Sequence, residues 1–176
     1  MFGNRLLSKG DLSVYRRGRL SSLEGEAGRL SAEDAASPEV LLRLRQRYEL
    51  DQVQITGHQF EVFDEPPTGT RVDLVIEYTG ASDLLRYRPS EHTSNPPNAV
   101  LDGGQIVVRG TAPDYDTGSV QRWADGILAN LEKWIGWANR DADAHYSEVA
   151  HAAQAAVAAR LAHLERQERL RQELAG

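Results

Sequence analysis

The stretch Thr-Arg-Val-Asp-Leu-Val-Ile-Glu-Tyr, residues 70–78, decides the fold class of this chain. Val72, Leu74 and Ile76 occupy alternate positions, with Asp73 among the residues between them. A two-residue period of this kind is typical of a β-strand that buries one face and exposes the other. The stretch therefore predicts a half-buried strand, and a strand of this kind needs neighbours on either side.

Further strand signals lie on both sides of this stretch. Residues 53–63 have strand-like composition and are separated from it by the turn cluster 64–69. Downstream, residues 84–87 are interpreted as a short edge strand. Residues 99–109 predict a hairpin, because Asp102-Gly103-Gly104 supplies the positive-φ residues that a tight turn needs. Together these segments predict a small antiparallel sheet of about four or five strands.

Helix signals flank the sheet region. Ser37-Pro38-Glu39 is a typical helix start, and the helix that it begins is expected to end near Tyr48. Residues 120–138 trace one apolar face of a long helix, and residues 146–164 carry a second apolar stripe. The polar run 139–143 between them predicts a break or kink. We expect an α+β fold in which one or two long C-terminal helices cover one sheet face.

The same patterns divide the chain into three regions. Residues 1–36 are punctuated by glycines and are interpreted as an arm that is flexible or docked against a partner. Within this arm, residues 11–15 have the composition of a short strand. Residues 37–140 form the predicted α+β core domain, and residues 141–176 form a predicted C-terminal amphipathic helix.

Composition excludes several functional classes. The chain of 176 residues has no Cys, which rules out disulfides, thiolate nucleophiles and Cys-based zinc sites. Its net charge of -6 argues against non-specific nucleic-acid binding. Residues 48–140 are the most acidic part, with fourteen Asp or Glu against seven Lys or Arg. No apolar run suits a signal peptide or a membrane span, so a cytoplasmic protein without membrane contact is expected.

Motifs for catalysis or metal binding are weak. His145, Glu148 and His151 include one Glu-x-x-His pair, but a di-metal site needs that motif twice with two further carboxylates. Ser90 and His92 offer parts of a catalytic triad, yet no Gly-x-Ser-x-Gly elbow is present. No phosphate-binding glycine loop opens a helix. We therefore predict no catalytic residue, no metal site and no cofactor.

One loop has the chemistry of a ligand site. Arg86, Tyr87, Arg88 and His92 combine two guanidinium groups, a stacking face and a titratable ring within a few residues. Arg binds carboxylate or phosphate in a bidentate manner, so a small anionic ligand or a nucleotide would suit this loop. The alternative is an irregular crossover in which polar side chains satisfy the loop's own backbone.

A second set of residues suits contacts with other protein subunits. The basic arm offers charge, a Trp off the main apolar stripe offers an interface anchor, and the second C-terminal stripe suits self-association. The predicted interface residues are Arg16, Arg17, Arg19, Trp137, Val157, Leu161 and Leu164.

The region from Gly80 through Tyr87-Arg-Pro-Ser90 to Pro96-Pro97, with the hairpin and helical tail after it, resembles uncharacterised bacterial proteins from mobile-element or conflict-system contexts. That resemblance implies no catalytic residue. The expected function is a non-enzymatic interaction module, an adaptor or accessory subunit of a larger bacterial assembly. The alternative is a sensor of a small anionic ligand or nucleotide that uses the loop from Arg86 to His92.

Overall fold

The computed structural model describes residues 4–65, 69–111 and 116–175. The described residues form four α-helices, five strands and a short 3₁₀ helix at Ser82–Leu85. In chain order these are β1 (Asn4–Arg5), α1 (Leu12–Ala27), α2 (Ala32–Ala36), α3 (Glu39–Tyr48), β2 (Gln54–Glu65), β3 (Gly69–Thr79), β4 (Val100–Asp102), β5 (Gln105–Thr111) and α4 (Thr117–Ala175). The predicted α+β class, with its small sheet and long C-terminal helix, is confirmed.

All five strands belong to one sheet with the order β1-β4-β5-β3-β2, and each neighbouring pair is antiparallel. The strand predicted over 70–78 is β3, which lies between β2 and β5. Its segment Val72–Ile76 is buried on both faces. The strand predicted over 53–63 and the hairpin predicted over 99–109 are also confirmed. A bulge between Ile55 and Gly57 interrupts the pairing of β2 with β3.

One face of the sheet forms the core beneath the first part of α4. Leu74 and Ile76 of β3 are fully buried, as is Ile106 of β5. Gly110 of β5 faces the Trp123 ring, and a Cβ atom at this glycine would lie 2.7 Å from a ring carbon. Glycine thus lets the helix approach the sheet closely.

The edge strand predicted over 84–87 is wrong, because this segment begins within the 3₁₀ helix Ser82–Leu85. Leu84 and Leu85 are consecutive and both are buried, whereas a half-buried edge strand would expose one of them. The amides of Leu84 and Arg86 donate to carbonyls three residues earlier, as a 3₁₀ turn requires.

The predicted break at 139–143 is also wrong, because α4 continues from Thr117 to Ala175. The polar side chains at the expected break contact neighbouring segments instead. Asn139 pairs with both backbone polar groups of Val53, and Asp141 accepts a hydrogen bond from the Ser90 amide at 2.7 Å. Neither Gly nor Pro occurs in this run, so the helix has no local reason to end.

The chain divides into two compact units. Unit 1 consists of Met1–Ser13 and Asp51–Ala142, and unit 2 consists of Val14–Leu50 and Asp143–Gly176. The predicted division placed residues 37–140 in one domain, but here residues 14–50 belong with the last part of the chain. Unit 1 has fifteen Asp or Glu against nine Lys or Arg, whereas unit 2 has eleven of each.

Unit 2 has its own apolar core, in which residues of α1, α2, α3 and α4 pack together. Its buried members are Leu23, Ala27, Leu30, Ala35, Val40, Leu44, Val149, Ala153 and Val157. Helix α3 begins at Glu39 and ends at Tyr48, close to its predicted bounds, and contributes Val40 and Leu44 to this core.

Residues 1–36, predicted to form a flexible or partner-docked arm, contain regular secondary structure. Strand β1 and helices α1 and α2 occupy much of this segment, and the strand predicted at 11–15 is replaced by the start of α1. Gly18 and Gly25 lie inside α1, where each glycine lowers helix stability by about 1 kcal/mol. Burial of Leu23 and Ala27 in the unit 2 core offsets this cost.

Candidate functional site

The loop predicted to bind an anion is held by its own surroundings in unit 1. Four backbone hydrogen bonds of 2.7–3.0 Å, within the usual range for N–H···O bonds, join residues 85–88 to residues 7–12. Arg88 also forms an ion pair with Asp11, with 2.9 Å between Nη2 and Oδ1. The Arg88 charge is therefore used within the unit.

The histidine of this loop also contacts residues of unit 1. His92 Nδ1 lies 3.1 Å from the carbonyl oxygen of Pro89, and the ring lies 6.1 Å from that of Trp134. Ser90 donates its amide to Asp141. These contacts fit the interpretation in which the loop's polar groups satisfy its own backbone.

Arg86 differs from its neighbours in the loop. Its Nε is buried without a hydrogen-bond partner. Burial raises the pKa of the Tyr78 phenol, and the Arg86 charge lowers it to a smaller extent. The apolar cavity beside Leu84 and Leu85 has a volume of only about 10 Å³, which is too small for a ligand. Arg86, Tyr87, Arg88 and His92 thus form a structural crossover rather than the lining of this cavity.

Two of the three predicted interface arginines are used inside unit 2. Arg16 is buried, and its Nη2 lies 2.7 Å from Glu148 Oε1. Arg19 donates to the carbonyls of Arg47 and Tyr48 at 2.7 and 3.0 Å, which satisfies orphan groups at the end of α3. Only Arg17 of the cluster is exposed, so the predicted basic contact surface is not formed by the three together.

The histidine of the metal motif is a core residue of unit 2. His145 is fully buried, and its Nε2 lies 3.1 Å from the Tyr48 carbonyl oxygen. Because a carbonyl only accepts hydrogen bonds, Nε2 carries the proton and Nδ1 is bare. Glu148 Oε2 lies 3.6 Å from Nδ1, whereas His151 is exposed. Among the residues that the structure describes, no three His, Asp or Glu side chains form a group that could hold a metal ion.

Burial of His145 makes the stability of the protein dependent on pH. Desolvation lowers the pKa of this imidazole, the Tyr48 carbonyl opposes the shift, Arg16 reinforces it and Glu148 opposes it. The unfolded chain therefore takes up the proton first, near pH 6.5, and stability is lost as the pH falls from there towards the folded pKa.

Urea unfolding at about pH 7.5 and about pH 5.5 tests this expectation. The wild-type protein should lose more stability on acidification than His145→Gln, in which the amide can still donate to Tyr48. His151→Gln, which changes an exposed histidine of the same helix, should keep the wild-type dependence. Equal acid sensitivity of wild type and His145→Gln would contradict the role given to His145.

Several of the remaining predicted interface residues are buried by packing within the chain. Trp137 is buried, with its ring 5.5 Å from that of Trp134 in an edge-on arrangement and Lys133 Nζ 5.0 Å above it. Val157 belongs to the unit 2 core, and Leu161 packs against that core. Leu164 is half-buried. Burial removes Trp137 and Val157 from any surface that a partner could reach.

The last turns of α4 form the first candidate interaction surface. Residues 165–175 are all exposed. Their described hydrogen bonds and ion pairs join only residues of the same segment, such as Glu168 with Arg171 and Gln172. Leu170 and Leu174 lie one turn apart with 56% and 79% of their surfaces exposed. Two exposed leucines at this spacing form an apolar stripe without a partner in the described chain.

A groove of about 540 Å³ lies on unit 2 beside α4. Five of its eight lining residues are Gly or Ala, and the other three are charged or polar. The lining residues are Glu24, Gly28, Ala152, Ala155, Ala156, Ala159, Arg160 and His163. The run of alanines was the only sequence signal for this groove, because small residues allow another helix to approach closely.

The outer edge of β2 forms the second candidate surface, which belongs to unit 1. Among the described strands, β2 pairs only with β3. Beside it lies a groove of about 260 Å³ lined by Phe60, Val62, Thr70, Val72, Thr117, Val120 and Gln121. Sequence reasoning identified β2 as a strand but gave no sign that it lies at the edge of the sheet.

No helix in the described parts of the chain combines the length and the apolar character of a membrane span. No protein-family model, curated protein or solved structure matches the chain. Its function is therefore argued from the two candidate surfaces.

Proposed function

We propose that the protein is a non-enzymatic interaction module that assembles with a second copy through the distal part of α4. The observation that carries this proposal is the exposed pair Leu170 and Leu174 on a helical segment whose described contacts are all internal. Such a module would serve as an adaptor or accessory subunit of a larger assembly.

Energetic considerations support a partner for this segment. The last eleven described residues of α4 extend the helix without tertiary contacts, and most helical stability in proteins comes from packing of an apolar face. Burial of a leucine side chain contributes about 1.5–3 kcal/mol, so two leucines per chain supply a useful driving force. The ion pair between Glu168 and Arg171 supports the helix but leaves the apolar stripe open.

The alanine groove has the spacing that this stripe requires. An antiparallel arrangement of two α4 helices around a two-fold axis at His163 places Leu170 opposite Ala156 of the other copy. The same arrangement places Leu174 opposite Ala152. Both pairs are four residues apart on their helices, so large side chains meet small ones along one seam. The contact is isologous, because each copy supplies both the groove and the leucines.

The oligomeric mass tests the proposal. Light scattering over a range of protein concentrations should show a dimer for the wild-type chain and a monomer for the double variant Leu170→Glu/Leu174→Glu. Because both leucines are exposed in the single chain, the variant should remain folded as a monomer, and its thermal midpoint should no longer depend on protein concentration. Filling the groove by Ala156→Leu should also weaken the dimer, because the seam has room for one leucine at that point.

Leu42→Glu provides the matched control, since Leu42 lies on α3 with the same exposed fraction of 56% as Leu170. This variant should remain dimeric. A wild-type monomer at every concentration would contradict the proposal. So would equal dissociation by Leu42→Glu and by the double variant.

A further inference from the structure

The outer edge of β2 is long and accessible. This strand runs over Gln54–Glu65, and its pairing with β3 is regular from Gly57 onward. Most of its described residues are exposed, as befits a strand with a neighbour on one side only. The unpaired backbone groups along such an edge can accept a further strand.

The core face of the sheet continues past α4 to this edge. Phe60 and Val62 pair with the buried residues Leu74 and Val72 of β3 and lie on the same face. They are nevertheless 36% and 68% exposed. The groove beside them has apolar and polar lining residues and is open to solvent. A strand added next to β2 would place its apolar side chains beside this uncovered part of the core face.

The opposite face of β2 has an acidic side chain without an ion-pair partner among the described residues. Glu61 lies next to Asp73 of β3, whose carboxylate is already neutralised. Arg71 Nε lies 3.0 Å and Arg109 Nε 3.8 Å from the two oxygens of Asp73. Glu61 is exposed and is left to interact with a basic side chain on the next strand.

Charge over the whole strand favours the same kind of partner. By sequence, β2 contains three carboxylate residues and no Lys or Arg. Unit 1 also has an excess of six acidic over basic residues. Acidic residues on an edge strand oppose pairing with another acidic or neutral edge, whereas a basic segment removes that penalty.

We propose that β2 accepts an extended segment of a partner protein, in which apolar and basic side chains alternate, as an additional strand of the sheet. Backbone hydrogen bonds along the edge supply affinity. The apolar side chains pack beside Phe60 and Val62, and a basic side chain pairs with Glu61. This inference concerns unit 1 and does not depend on self-assembly through α4.

Fluorescence anisotropy of a labelled peptide Lys-Val-Arg-Val-Lys-Ile-Arg tests the inference with the full chain. The peptide should bind, and its affinity should fall as salt is added. Val62→Lys and Glu61→Lys should each weaken binding by roughly tenfold or more, since each adds a like charge at the edge. Val14→Lys, an exposed valine of α1, should bind as the wild type does. Thermal unfolding of each variant verifies that it remains folded.

Two modified peptides distinguish strand addition from simple attraction of charges. The same peptide with N-methyl groups on alternate residues, prepared in both registers, should lose binding in at least one of them, because one register removes the pairing amides. A peptide with Glu in place of Lys and Arg should not bind. The inference is wrong if the acidic peptide binds equally well, or if both N-methylated peptides bind like the parent.

Absence of binding by the basic peptide would also overturn the inference, and the acidic residues of β2 would then serve only to prevent edge pairing. A second copy of the chain is the other possible occupant. In that case Val62→Lys would dissociate the dimer and Leu170→Glu/Leu174→Glu would leave it intact. Such a result would overturn both proposals, because the dimer would then form through β2. If only the leucine variant loses the dimer, self-assembly through α4 is supported and peptide binding still decides the role of β2.

Discussion

The Gly80→Ala variant is expected to unfold with a free energy about 3–5 kcal/mol below that of the wild type. Gly80 has a φ of +97°, a conformation that alanine adopts only with strain. A Cβ atom there would lie 2.0 Å from the carbonyl oxygen of Gln52. The backbone cannot easily move away, because the next amide, that of Ala81, donates to the Asp51 carbonyl at 3.1 Å.

Gly104→Ala separates the two causes of this loss. Gly104 has a φ of +86°, but no atom lies within 4 Å of the position that its Cβ would take. The strain of the backbone alone should then lower stability by roughly 1–2 kcal/mol. Urea unfolding of both variants gives the comparison, and equal losses would show that the contact with Gln52 relaxes without penalty.

The second large effect is expected at Asn139. Its Oδ1 accepts from the Val53 amide at 2.8 Å, and its Nδ2 donates to the Val53 carbonyl at 2.9 Å. Val53 is buried, so each of these backbone groups depends on the side-chain amide. Asn139→Asp keeps the shape and the acceptor but sets a carboxylate oxygen against a carbonyl oxygen. We expect a loss of about 2–4 kcal/mol from the unpaired carbonyl and the repulsion.

Asn130→Asp is the matched control on the same helix, because the Asn130 side chain has no described hydrogen bond. Its stability should differ from that of the wild type by less than about 0.5 kcal/mol. Chemical unfolding at neutral pH measures both variants. If Asn139→Asp is as stable as the control, the paired contact with Val53 contributes little.

Local patterns predicted the elements whose residues decide their own conformation. The alternation at 72, 74 and 76 is sufficient for a strand, and Asp102-Gly103-Gly104 is sufficient for a hairpin turn. The same reasoning failed at α1, because its two internal glycines weaken the helical signal and the core that stabilises it includes Val149, Ala153 and Val157, more than a hundred positions later. Tertiary packing outweighed local propensity there.

The prediction of a helix break at 139–143 failed for a related reason. Polar side chains in mid-helix look like capping residues when only the sequence is known. In the structure Asn139 and Asp141 instead satisfy backbone groups of Val53 and Ser90, which lie 86 and 51 positions away. Long-range hydrogen bonds of this kind leave no periodic signal.

The candidate surfaces were predictable to different degrees. Leu170 and Leu174 could be recognised as an exposed pair, because the sequence around them is almost wholly charged or polar. The edge position of β2 could not, since strand order depends on which distant segments pair. Ligand binding by the loop from Arg86 to His92 stays a prediction, and the sequence did not show that its backbone pairs with residues 7–12 or that Arg88 forms an ion pair with Asp11.

The interleaved connectivity of the two units has a consequence for the nascent chain on the ribosome. Strand β1 cannot pair until β4 has been synthesised, because Arg5 pairs with Val100. Burial of Leu23 and Ala27 of α1 is complete only later, since Val149 and Val157 belong to the same core. At about 5–20 residues per second, translation leaves these α1 side chains without their final neighbours for roughly 6–25 s. Helix α1 therefore emerges well before its core is complete, and during this interval it is a segment that a chaperone would meet.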